Sequence, residues 1–221
     1  MDAMKKTITV KHLLTLTSGL RWDEDSTEHR IERSADWIAA IIDLPMASMP
    51  GTTFNYSTGD THLLSAVLTE AAKMSTCDFI HQNLLLPMGI MAEHWGQDPQ
   101  GYFSGGCNFY LTPRKLAKFG VLYLNKGNWR GQQLVPATWV KASMRAQADA
   151  GTPYNYGYNF WLRNLGVHDV AMAWGFGGQM VYIIEDLNMI VVMTTNTKDF
   201  NQDSFNGKRI VESYVIPAAG G

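Results

Sequence analysis

The chain has 221 residues, 46% of them hydrophobic and 17% charged, with a formal net charge of −2. This composition excludes a disordered or low-complexity chain and supplies enough apolar residues for a sizeable core. The slightly acidic balance, with Lys and Arg scattered, argues against nucleic acid or an anionic membrane as partner, and no apolar run approaches the roughly 20 residues that span a bilayer.

The opening "MDAMKKTITVKHLL" has a basic patch but neither the long apolar stretch nor the cleavage site of a signal peptide, and the compartment stays open. "TVKHLLTLTSG" predicts a short helix capped by Thr9 and stopped at Gly19, and "SADWIAAIIDLP" one capped by Ser34. In "FNYSTGDTHLLSAVLTEAAK", Gly59 and Asp60 open a helix whose Leu63, Leu64, Val67, Leu68 and Ala71 share a face. "STCDFIHQNLLLPMGI" is another short helix, closed by Pro87. "LTPRKLAKFGVLYLNKG" has Thr112 as cap, Pro113 at the first helical position and Gly127 as stop; "VPATWVKASMRA" adds one more helix.

Beyond about residue 145 the period changes. "GTPYNYGYNFWLRN" suits a loop entering a strand, and "GGQMVYIIE" and "NMIVVMTTN" are β-branched runs around the turn-prone "DLN". They predict an antiparallel hairpin buried on at least one face, and "SFNGKRIVESYVIPAA" predicts a helix to cover it. The class is α+β, with a helical region over about 1–145 and a sheet region with a C-terminal helix over 146–221. The strand from Met189 to Thr195 is very apolar for an edge and lacks an obvious second neighbour.

The six histidines form no i,i+4 pair and no H-E-x-x-H, and Cys77 and Cys107 have neither metal-ligand nor redox spacing, so no metal or cofactor is expected. Both cysteines are expected as buried or half-buried thiols. "GFGGQ", Gly175 to Gln179, opens a strand and does not join a strand to a helix, which fails the context of a phosphate cradle. G-x-S-x-G is absent, and none of the serines has a lysine three residues on. Thr112 to Lys115 has that spacing, but helix capping accounts for Thr112.

Five stretches, in order, resemble the penicillin-recognising serine hydrolases: class C β-lactamases, D-Ala-D-Ala carboxypeptidases, β-lactamase-like esterases and 6-aminohexanoate-dimer hydrolases. They are "ITVKHLLTLTSGL", "PGTTFNYSTGDTHLLSAVL", "LLLPMGI", "LTPRKLAKFGVLYLNKGNWRGQQLVPATWV" and "AWGFGGQMVYIIEDLNMIVVMTTN". The resemblance implies a β-lactamase/transpeptidase-like fold and hydrolysis through an acyl-enzyme. The family's site combines S-x-x-K, a Y-x-N turn and a K-T-G or H-x-G strand segment. Tyr56 matches the tyrosine of the second element, and Thr58 stands in the place of its asparagine. Trp174, Gly175, Phe176 and Gly177 fall near the third, where an indole replaces the cation that would hold a β-lactam's carboxylate. A neutral ester or amide is therefore the implied substrate, with Trp22, Tyr156 and Tyr158 as residues that either line the groove or belong to the core.

The first element does not occur in the 221 residues. The resemblance thus implies a single incomplete domain over 1–221, lacking the nucleophile helix and the first strands of the sheet and inactive alone. Its implied partners are an N-terminal segment or a second copy at the open sheet edge. A non-catalytic binding or assembly module and one half of a split hydrolase are the alternatives.

Overall fold

The computed structural model describes residues 2–196 and 207–219. They fall into two compact units, Met1–Leu111 with Gln147–Ala150, and Thr112–Ala146 with Gly151–Gly221. Among the described residues no helix is long and apolar enough to cross a membrane.

The first unit is mostly helical. Helix α1, Val10–Leu14, starts at a reciprocal capping box: Thr9 Oγ1 accepts from the His12 N–H, and His12 Nδ1 accepts from the Thr9 N–H. It ends well before Gly19, because Thr15 turns its hydroxyl back onto the Lys11 carbonyl and Leu16 takes a left-handed φ of 52°. Helix α2 is Ser26–Glu32 and α3 is Trp37–Ile42. The cap of α3 is Asp36, whose carboxylate accepts from the Ala39 N–H at 2.9 Å. Ser34, the expected cap, instead donates to the Ile31 carbonyl at the end of α2.

Helix α4, Thr58–Ala72, begins one residue earlier than expected, with Ser57 as its cap and Lys73 leaving it at φ 54°. Its buried face also differs. Val67 and Ala71 are exposed, while Asp60, His62 and Ser65 are buried beside Leu63 and Ala66. Apolar spacing misjudged this face because the buried polar residues find partners elsewhere in the chain: His62 bonds Asp98, and Ser65 bonds Thr76 and the Phe103 carbonyl. Helix α5, Thr76–Ile80, continues into a π-helical turn, His81–Leu85, ahead of Pro87. Leu13, Leu20, Trp22, Ile31, Ile41, Leu44 and Leu63 form the core of this unit.

The second unit is built on an antiparallel sheet. Its strands are β1 (Asn155–Tyr156), β2 (Trp161–Leu165), β3 (His168–Gly175), β4 (Gln179–Ile184) and β5 (Met189–Met193), adjacent in that order. The expected hairpin is β4–β5, with Ile190 opposite Ile183. The expected loop leads into a further hairpin, β2–β3, turned at Gly166 with φ 62°. Strand β5 is the edge; among the described residues no strand pairs with its outer side.

Both faces of this sheet are covered. Val170, Met172, Met180, Tyr182 and Ile184 pack with Val211 and Ile216 of the C-terminal helical segment. The alternate residues Ala171, Val181 and Ile183 pack with Tyr123, Val140 and Phe160. Period two with two buried faces is why these strands read as continuous apolar runs. Helix α6, Pro113–Leu124, lies on the second face with Thr112 as cap and Pro113 in its first turn. It comes close because Gly120 has no side chain: a Cβ there would lie 3.1 Å from Val181 and 3.3 Å from Ile190. Helix α7 is Ala137–Ser143. The C-terminal segment is α-helical over Gly207–Ile210, π-helical over Val211–Val215 and α-helical again over Ile216–Ala218; residues 204–206 of its expected start lie outside the described residues.

Candidate functional site

In the first unit, Tyr56 lies on the extended turn that leads into α4, with 37% of its surface exposed. Asn55 anchors the turn: its N–H donates to the Leu16 carbonyl and its side-chain amide to the Trp22 carbonyl, both at 2.9 Å. The Thr58 N–H and hydroxyl, at 2.7 and 2.8 Å, both donate to the Glu24 carboxylate. An anion satisfies a helix N-terminus well, where backbone donors are unpaired and the dipole is positive. The hydroxyl that stands in for the asparagine of Y-x-N is therefore bound to a carboxylate from 34 residues earlier.

The electrostatics around the turn are acidic. Burial of the hydroxyl, followed by the Glu24 and Glu28 carboxylates, pushes the Tyr56 phenol up to about 12. Burial also raises Glu24, against the pull of its bonds to Thr58. Glu28 is pushed up to about 7 by burial, with Glu24 and Glu32 adding repulsion. Asp60 is 1% exposed, and neither carboxylate oxygen has a partner of ordinary hydrogen-bond geometry. Burial holds it at about 7, with Ser18 and Ser57 pulling the other way.

Trp22 is a core residue, 7% exposed, lying against the start of α4. A Cβ on Gly59 would sit 2.4 Å from its ring, so only glycine fits there. Gly105 meets the same helix: its Cβ would be 1.9 Å from the Thr61 carbonyl oxygen. That approach brings the Ser104–Cys107 loop to α4, where Trp22, Glu28, Glu32, Thr58, His62 and Cys107 help line a small cavity of ≈ 20 Å³.

In the second unit, Trp174, next to the last residue of β3, lies in an aromatic cluster, its ring 5.4 Å from Trp161 and 6.0 Å from Tyr154. The Lys208 ammonium lies 3.2 Å over the Trp174 ring and donates to the Tyr154 hydroxyl at 3.0 Å. Arg163 pairs with Glu212 at 2.8 Å beside them. A cation is thus present at Trp174, seated on the face of the ring. Tyr156 is 3% exposed and meets Trp161 edge-on at 5.3 Å; Tyr158 stacks on Trp139 at 5.2 Å. Gly175 closes β3, and Gly177 follows at φ 71°, a conformation glycine adopts without strain, its carbonyl accepting from the Thr195 hydroxyl.

Tyr56 and Thr58 therefore share one turn in the first unit with Trp22 packed against it, and Trp174 and Tyr156 share one aromatic cluster in the second. The sequence reading missed Glu24, Glu28, Asp60 and the His62–Asp98 pair. Only the i,i+4 spacing of Glu24, Glu28 and Glu32 offered a local signal; the other relations are long-range.

Comparison with known proteins places this geometry in context. Over 90 residues the chain is 32% identical to Protein flp of Staphylococcus aureus (strain MRSA252), a match covering 39% of this chain and 18% of that protein. Its fold is similar to that of a Bacillus anthracis protein provisionally described as a 6-aminohexanoate-dimer hydrolase, with a TM-score of 0.78 at 15% identity over 96% of this chain and 61% of that one. It is also similar to EstCE1, described as a hydrolase with promiscuous acyltransferase activity, with a TM-score of 0.74 at 17% identity over 97% of this chain and 72% of that one. At these identities the two structures establish the β-lactamase/transpeptidase-like fold, of which the chain spans less than two thirds of the first. The family model for Beta-lactamase matches residues 2–215, nearly the whole sequence, and the chain therefore belongs to the Beta-lactamase family.

Proposed function

We propose that this chain carries the tyrosine turn and the glycine-strand segment of an acyl-transferring serine hydrolase for small neutral esters or amides, and that by itself it is inactive. The observation that carries this is Tyr56, held on the turn ahead of α4, in a sequence of 221 residues without S-x-x-K. In the complete site a serine oxygen bonds to the substrate carbonyl as the bond to the leaving alcohol or amine breaks. The serine proton passes by way of Tyr56 to the leaving group, and water then releases the acyl group. With its phenol at about 12, Tyr56 is protonated at neutral pH and suited to donating. A lysine beside it would offset Glu24 and Glu28 and allow it to accept as well. By the family resemblance alone, backbone N–H groups near Gly175 and Gly177 would serve the developing oxyanion.

Incubation with a fluorophosphonate, followed by intact mass, is expected to give no adduct on the chain alone. Co-expression with a segment bearing S-x-x-K ahead of an apolar helix is expected to restore nitrophenyl-ester hydrolysis, which Tyr56→Phe then lowers by about 100-fold or more. A stoichiometric adduct on the chain alone would overturn the proposal.

The acidic setting of Tyr56 favours one second reading, a module that binds a ligand without chemistry. Saturable binding with no turnover after adding back the segment would select it. The open edge of β5 supports self-association or pairing with such a segment; sedimentation as a monomer at all concentrations would remove the first.

A further inference from the structure

A cleft of ≈ 840 Å³ opens between α7 and the sheet, with all its lining residues in the second unit. Its volume falls in the range of sites that take small organic ligands. Period two builds the floor: Leu162, Ala171 and Ile183 share the sheet face on which Val140 and Met144 pack. Two residues further along the same rows, the floor turns acidic at Asp169 and Glu185. On the helix side Lys141 and Arg145 each follow one of the apolar residues Val140 and Met144, so that wall is basic. Val167, in the β2–β3 turn, adds an apolar side chain that is 88% exposed.

The two charged walls do not meet. Among the described residues the side chains of Lys141, Arg145 and Glu185 form no ion pair. Asp169 is held in place by the Asn164 amide at 2.5 Å. Asp186, on the same acidic side, is bonded to His168 Nδ1 at 2.5 Å, which keeps its carboxyl below the ordinary range and therefore ionised.

We propose that this cleft binds a short apolar peptide with free ends, its carboxylate at Lys141 and Arg145, its ammonium at Asp169 and Glu185, and its side chains on Leu162, Met144 and Val167. A ligand of one charge would satisfy one wall and be repelled by the other. A single amino acid carries both charges on one backbone unit and reaches one wall only. The floor is three strands wide, about 10 Å, and three extended residues span about that distance. The cleft lies at the far end of β3 and β4 from Gly175 and Gln179, about 20 Å along the strands. The inference therefore does not rest on the hydrolase reading.

The test is NMR titration of the methyl-labelled chain with trileucine. Saturable shifts are expected at the methyls of Leu162, Val167 and Met144, with none at Met180. Acetylating the peptide amine or amidating its carboxylate should each raise Kd at least about 10-fold. In Lys141→Gln/Arg145→Gln the free acid and the amide should bind alike; in Asp169→Asn/Glu185→Gln the free and acetylated amines should. All four positions are exposed, and circular dichroism checks that the fold is kept. No saturable shift at millimolar peptide, shifts confined to the Gly175–Gln179 end, or equal Kd for free and capped peptides would each overturn the proposal. Shifts at these methyls that depend on protein concentration without peptide would also overturn it, and would assign the cleft to a second copy of the chain.

Discussion

The neighbourhoods of Tyr56 and Trp174 are built on opposite principles. Around Tyr56 and α4 buried polar groups are weakly satisfied: Ser18 and Ser57 draw on the Asp60 carboxylate without a bond of ordinary geometry, and His62 Nδ1 and the Trp37 indole N–H have no partner among the described residues. Around Trp174 the polar groups are engaged, with Lys208 on the ring face and on Tyr154, and Arg163 on Glu212; the Arg163 Nε is the unpartnered atom there. Unsatisfied buried groups lower stability, so each weakly satisfied group near α4 costs free energy that packing elsewhere offsets. A filled aromatic cluster serves packing. The turn thus gathers acidic groups whose pKa values burial raises, and the Trp174 cluster holds its strand in place.

The strongest way to break this contrast is at Trp174. Trp174→Ala should lower unfolding stability by about 3 kcal/mol, through lost ring packing and the lost seat of Lys208. Trp174→Phe should recover most of that in denaturant titrations. If Trp174→Ala left stability unchanged, the ring would be a groove residue and the contrast would fail. A smaller effect is expected at the cap of α4: Ser57→Ala should cost about 1 kcal/mol and increase amide exchange in the first turn of the helix.

The smallest change in stability is expected at Glu24→Gln, which keeps acceptor and donor positions for Thr58 while removing charge. The Tyr56 phenol should fall from about 12 toward its ordinary value, read by NMR of ring-labelled tyrosine. There is also a pH signature. Because burial raises Glu24, the folded protein holds that proton more tightly than the unfolded chain. Stability present below the ordinary carboxylate range is then lost as pH rises through the folded value. Glu24→Gln should flatten that slope; an unchanged slope would assign it to another acid.

Much of the fold was legible because its signals are local. Thr9 and Thr112 cap the helices they were expected to cap, and the β4–β5 hairpin follows from its β-branched runs. The helix of Trp37–Ile42 was found but its cap was not, since Ser34 and Asp36 both suit the position and the geometry of the chain decides. The buried face of α4 was misread because apolar periodicity assigns polar residues to solvent, whereas Asp60, His62 and Ser65 are inside. Of the site, the Tyr56 turn was legible as a motif. The Glu24–Thr58 bond, the His62–Asp98 pair and the approach of Cys107 to α2 join residues tens of positions apart, and composition and spacing carry no trace of them.

The two buried faces of the sheet have a consequence for folding fidelity. In most sheets a slip by one residue turns polar side chains inward, and that penalty alone proofreads the pairing. Here a slip of β3 or β4 exchanges one apolar row for another, Met172 and Tyr182 for Ala171 and Ile183. Polarity cannot detect the error. The discrimination falls to volume, since the slip would exchange Met172 and Tyr182 for the smaller Ala171 and Ile183, and to the left-handed turns at Gly166 and Asn188, which fix the count of residues between strands.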